Sequence, residues 1–241
     1  MKHTLTLTRQ ADTQALYHRG GVADGKVDIT EISWFMPQPK LAPEYLSIMR
    51  NIMTEKQTIP LFFPAITCEQ TTLPQTMKHT WKLSVTGGIE KPRWIIIGLQ
   101  TAKNSSQEQN PSVFDHCNLK NVYVTLNSER YPTLGLNTNF DQNCFMKLYS
   151  MADNFKRDYL GIDSLVGGTQ INVGAYKTLF PIIVLDVTKQ NERLKTGVVD
   201  MQVNFEFGAN IPADTTAYAV IISDRYFKIS SDGKNMSVVS M

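Results

Sequence analysis

The chain has 241 residues, 42% of them hydrophobic and 10% aromatic, which is enough to bury a full core and too little to suggest more than one or two domains. Its net charge is +2, from 24 basic and 22 acidic residues, and neither sign gathers into a long run, which excludes a basic arm built for nucleic-acid phosphates. Three widely spaced cysteines, Cys68, Cys117 and Cys144, with no CxxC pair, argue for a reduced chain rather than a disulfide framework.

The longest apolar runs, Trp94 to Leu99 and Phe180 to Leu185, fall far short of the roughly 20 residues of a membrane helix. The N-terminal residues lack the apolar core of a signal peptide. A soluble, unexported chain with no membrane span is expected.

Period-two alternation in short runs rich in Val, Ile, Thr and aromatics dominates the sequence and predicts half-buried antiparallel strands. Residues 3–9 alternate Leu and Thr. Residues 26–36 alternate Val27 and Ile29, then, after a phase slip, Ile32 and Trp34; both runs predict strands. A short helix is predicted over 42–55, with Pro43 near its start and Leu46, Met49, Ile52 and Met53 at helical spacing. The apolar run 58–67 carries Pro60 and Pro64 and reads as an edge strand or irregular extended segment.

Residues 76–86 set Met77, His79, Trp81, Leu83 and Val85 on one face of a strand. Further strands are predicted over 93–101, 120–132, 180–189, 198–208 and 215–230, with turn-forming clusters at 86–92, 188–197 and 208–214. A longer helix is predicted over 141–160, with Asp141 as N-cap, Gly161 just past its end, and Cys144, Leu148, Met151 and Phe155 in one stripe. Residues 166–181 read as a surface loop with a short helical turn. Roughly eight to ten strands, two inserted helices, no βαβ rhythm and no repeat predict an all-β, antiparallel two-sheet jelly-roll sandwich. An immunoglobulin-like sandwich is the alternative, weakened by the missing Cys…Trp…Cys pattern and the long loops.

Asp115-His116-Cys117 is the most chemical-looking group, because a histidine can activate a neighbouring thiol. On an extended chain adjacent side chains point to opposite faces, so the trio is expected to lead into a strand, with Phe114 and Cys117 inward and Asp115 or Asn118 holding turn backbone. The four histidines, His3, His18, His79 and His116, never stand at metal-ligand spacing. No nucleophile elbow, phosphate loop or dinucleotide fingerprint is present. The expectation is therefore no catalytic residue, no cofactor-binding residue, no metal ligand and no specific nucleic-acid site.

Four long segments carry a family resemblance. They are LPQTMKHTWKLSVTGGIEKPRWIIIGLQT, FDHCNLKNVYVTLNSERYP, FPIIVLDVTKQNERLKTGVVDMQVNFEF and IPADTTAYAVIISDR. Together they resemble the C-terminal half of the double jelly-roll major capsid proteins of Polinton/Maverick elements and adintovirus-like or virophage-like viruses, over about Lys2 to Tyr226. The resemblance implies a non-enzymatic structural protein of the virion, assembled inside the host cell. It also implies a trimeric homo-oligomer that tiles with other capsid proteins, and no cofactor.

Residues 1–241 supply strands for a single jelly roll where that family has two. The chain is thus expected to be a C-terminal fragment or a divergent or domesticated single-domain form. A jelly-roll module that binds a carbohydrate or receptor is the other functional reading, with residues 127–131, 131–140 and the loop Asp141 to Asn143 as its support.

Overall fold

The structure is a computed structural model and describes residues 4–38, 40–84, 91–162, 171–190, 199–231 and 236–239. Among these, the strands are β1 (Thr58–Thr72), β2 (Lys78–Leu83), β3 (Lys91–Thr101), β4 (Leu119–Leu126), β5 (Glu129–Tyr131), β6 (Ile183–Asp186), β7 (Met201–Phe207), β8 (Thr215–Ser231) and β9 (Met236–Val239). The helices are α1 (Asp12–Ala15), α2 (Pro43–Thr54), α3 (Met146–Leu160) and α4 (Val173–Thr178). One sheet runs β1-β8-β3-β6, with β9 also paired to β8; the other runs β2-β7-β4-β5, and every pairing is antiparallel.

Alternation explains how the two sheets meet. Ile95, Ile97 and Leu99 of β3 and Ala217, Ala219 and Ile221 of β8 turn inward from the first sheet. Trp81 and Leu83 of β2, Val122, Val124 and Leu126 of β4, and Val203 and Phe205 of β7 turn inward from the second, and all share one buried cluster. Each fully buried side chain of this kind contributes about 1.5–3 kcal/mol. The opposite face of the second sheet is polar. Lys78 pairs with Glu206 at 3.4 Å, Lys82 with Asp200 at 3.1 Å, and Thr80 donates to Asn204 at 2.8 Å.

The outer face of the first sheet is covered. Phe155 of α3 meets Trp94 edge-on, ring centroids 5.1 Å apart, and Tyr159, Ala152 and Ile182 close over Trp94, Val184 and Ile222. Strand β3 is therefore buried on both faces, which is why residues 94–99 read as a continuous apolar run rather than an alternating one. Gly98 interrupts that run because the Phe114 ring lies against the strand there: a Cβ at Gly98 would stand 2.5 Å from its Cε1.

The two-sheet architecture and the 76–86, 93–101, 180–189, 198–208 and 215–230 strands match the expectation, as does the edge position of the proline-bearing β1, although Met77 lies exposed ahead of β2 and Val85 falls outside the described residues. Several local expectations fail. Residues 4–9 and 26–36 form no strand; among the described residues no strand pairs with them. Residues 120–132 form a hairpin instead of one strand: Asn127, at φ 56, and Ser128 turn β4 back into β5.

Asp141 does not cap α3. The helix starts five residues later, behind Phe145, since Cys144 is held in a backbone bridge with Asn139. Cys144 thus drops out of the α3 stripe, while Gly161 ends the helix in the left-handed region at φ 64, as expected. The turn clusters at 86–92 and 188–197 lie mostly outside the described residues, as do residues 166–170 of the 166–181 segment; in its described part α4 forms behind an Asn172 cap, whose Oδ1 accepts from the Ala175 N–H at 2.7 Å.

Candidate functional site

Two features compete for attention, the Asp115–Cys117 turn and the surface made by the first 66 residues. Backbone geometry decides the first. Cys117 and Asn118 both sit at positive φ, 46° and 52°, so the segment is a tight turn and not the extended lead-in expected from sequence. Asp115 anchors it, accepting from the Thr101 N–H at 2.9 Å and donating its own N–H to the Leu99 carbonyl at 2.8 Å.

His116 accepts the Asn118 N–H on Nδ1 at 3.0 Å and stacks on Phe140, ring centroids 4.3 Å apart and nearly parallel. Cys117 Sγ lies 3.7 Å from Thr101 Oγ1 and packs against the core. The three side chains line one shallow depression together with Lys177, Thr178 and Pro212.

Electrostatics works against a thiolate here. Burial pushes the Cys117 thiol up and outweighs its hydroxyl contact with Thr101. Burial holds His116 below its ordinary value of 6.5, with the Lys177 cation adding to that effect and the Asp141 and Asp115 carboxylates opposing it. Both groups are thus favoured neutral, the reverse of an ion-paired Cys–His couple.

The other histidines stay apart. His18 pairs with Asp24 at 3.0 Å in the N-terminal segment, and His79 stands half-buried on β2; His3 lies outside the described residues. Among the described residues no group of three or more His, Cys, Asp or Glu could hold a metal ion. Cys68 and Cys144 are exposed and free.

The surface tells more. Along 4–66 the large apolar side chains Leu5, Leu7, Ile29, Ile32, Trp34, Phe35 and Met36 are exposed, Phe35 at 88%, and α2 buries none of its residues. Strand β1 and the far part of β8 then run past β3, whose pairing with β8 stops at Asp224. This extension, with β9 paired to β8 along Lys228–Ser231, carries aromatics on both faces. Phe62 stacks on Tyr226 with ring centroids 4.6 Å apart, and Phe63 meets Phe227 at 5.3 Å. Phe62 is nonetheless 77% exposed. Apolar exposure of this extent marks an interaction surface.

Residues 1–227 match the family described as the double jelly roll-like domain. The chain belongs to that family. This double jelly roll-like chain is also similar to solved viral structures. The cryo-EM structure of the Sputnik virophage matches at 17% identity and a TM-score of 0.38, over 76% of this chain and 38% of that one. The crystal structure of the mavirus major capsid protein matches at 12% and 0.37, over 76% and 41%. The PBCV-1 virus capsid matches at 7% and 0.40, over 77% and 52%.

The chain therefore spans between about two fifths and one half of the length of these structures. No curated protein matches the sequence. What the sequence did not foresee in this double jelly roll-like domain is the exposure of the apolar side chains between Leu5 and Met36; the strand-like alternation of that segment pointed instead to burial.

Proposed function

We propose that this chain is a capsid-building protein, structural rather than enzymatic, that self-assembles into trimeric capsomers and resides in the virion or in a particle derived from one. The observation that carries the reading is the apolar surface of residues 29–36 and 61–66 on a member of the double jelly roll-like family. Stable subunit interfaces of obligate assemblies bury on the order of 2,000 Å² or more and are apolar at the centre. A side chain such as Phe35 or Phe62, left in water by its own chain, is stabilised once a neighbouring subunit covers it.

In this reading residues 1–241 contribute one jelly roll to the tile, and Asp115, His116 and Cys117 are turn architecture with no catalytic part. Size-exclusion chromatography with light scattering tests the assembly. A species near three times the 27.2 kDa chain mass, or a larger discrete assembly, is expected. A monomer that persists across a wide concentration range ends the proposal.

A further inference from the structure

We propose that the depression between the loops 118–120 and 137–144 binds a neutral, polyhydroxylated ligand of the kind presented by the terminal hexose of a glycan. It is a depression of about 570 Å³, open to solvent on one side, large enough for a single sugar ring at the surface. The side chains of Asn118, Asn137 and Gln142 line it and make no hydrogen bond to any other described residue. Each primary amide presents donors and an acceptor side by side, the complement of a pair of adjacent sugar hydroxyls. Lys120 and Asp141 add one charge of each sign, so the site as a whole favours neither an anion nor a cation.

The loops are held in place before any ligand arrives. Thr138 donates its N–H to the Lys120 carbonyl at 2.8 Å, and its hydroxyl bonds the Leu119 carbonyl. Asn139 and Cys144 exchange two backbone bonds at 2.9 and 2.7 Å, Asn139 Oδ1 accepts the Gln142 N–H at 3.0 Å, and Gly208 donates to the Asn118 carbonyl at 2.8 Å. Phe140, buried and stacked between His116 and Phe145, pins the longer loop from below. The loop backbone therefore needs no ordering on binding, and the cost is confined to fixing the three amide side chains. Asn118, Asn137 and Gln142 are exposed and line the depression without a partner among the described residues, which leaves their amides available to a ligand even though the left-handed backbone at Asn118 and Asn137 favours asparagine on its own account.

The test is an array of neutral, sialylated and sulfated glycans probed with the full chain, followed by titration of galactose, glucose, mannose and N-acetylglucosamine against amide NMR signals. The variants are Asn118→Gly, Asn137→Gly and the pair. Both asparagines sit in the left-handed region, at φ 52 and 50, where glycine keeps the backbone and removes only the amide. The expected result is binding of neutral hexoses or glycans ending in them, with shifts at 118–120 and 137–144, and a loss of about tenfold or more in affinity for the double variant at an unchanged thermal midpoint.

Hits on the array without monosaccharide shifts at these loops assign the binding to another surface and overturn the proposal. It is equally overturned if nothing neutral binds, if only acidic glycans bind, or if affinity survives the double variant. Oligomeric state is read separately, so neither outcome here bears on assembly.

Discussion

Gly98 and Phe114 show how one missing methyl group positions the turn that carries Asp115, His116 and Cys117. The Phe114 ring occupies the space that a Cβ on Gly98 would fill, 2.5 Å from Cε1 and 2.6 Å from Cδ1. Its N–H is held by the Leu179 carbonyl at 2.9 Å, while Asp115 is tied to β3 through Leu99 and Thr101. The ring cannot retreat without pulling on both. Gly98→Ala is therefore expected to destabilise the domain by about 1–3 kcal/mol, the usual cost of overpacking, read as a lower midpoint in urea or thermal unfolding. In a Phe114→Ala background the same change is expected to cost much less. Equal costs in the two backgrounds would show that the contact does not set the strain.

At the scale of elements, the N-terminal segment is fastened to the sandwich by a side chain that carries no strand. Gln107, only 2% exposed, accepts the Gly25 N–H on Oε1 and donates Nε2 to the Gly25 carbonyl, both at 2.7 Å, while its own carbonyl takes the His18 N–H at 3.0 Å. Gln107→Ala removes two of these bonds and leaves the peptide groups of Gly25 to water, a loss of about 1–3 kcal/mol confined to the segment. Faster hydrogen exchange and proteolysis around 18–27, with the sandwich midpoint unchanged, are expected. Unchanged exchange there would mean that other contacts hold the segment.

The same segment marks the limit of what sequence patterning conveys. In β2 and β7 alternation means one face in the core, and Trp81, Leu83, Val203 and Phe205 are where the period puts them. In 26–36 the alternation slips phase between Ile29 and Ile32, and a strand needs a ladder partner as well as a pattern; among the described residues no strand pairs with it. Turn chemistry set the other discrepancies. Asn127 folds the 120–132 run into a hairpin, and the Asn139–Cys144 bridge delays the start of α3. At the candidate sites the amide-rich 137–142 loop was legible as residue types. Its closure against Asn118 and Gly208 was not, because those contacts join residues distant in sequence.

For the whole molecule, the decisive quantity is where exposed apolar surface lies relative to the core. The sandwich buries its own strands on the inner faces of both sheets and uses α3 to cover one outer face, so its folding does not require the side chains of 29–36 or the tip of the β1–β8 ribbon. If those side chains serve assembly, replacing them changes oligomerisation and leaves unfolding of the sandwich alone. Phe35→Ser combined with Phe62→Ser removes two large rings that are 88% and 77% exposed, and truncating an aromatic anchor at an interface centre costs about 2 kcal/mol or more.

With three copies of each ring in a trimer the effects accumulate, and the variant is expected to elute as a monomer at concentrations where the parent chain assembles. Its far-ultraviolet circular dichroism and thermal midpoint, measured on the monomer, should stay close to those of the dissociated parent. A fall in stability without a change in oligomeric state would assign these rings to intrachain packing instead. The ribbon would then be an extension of the core rather than a contact for a neighbour.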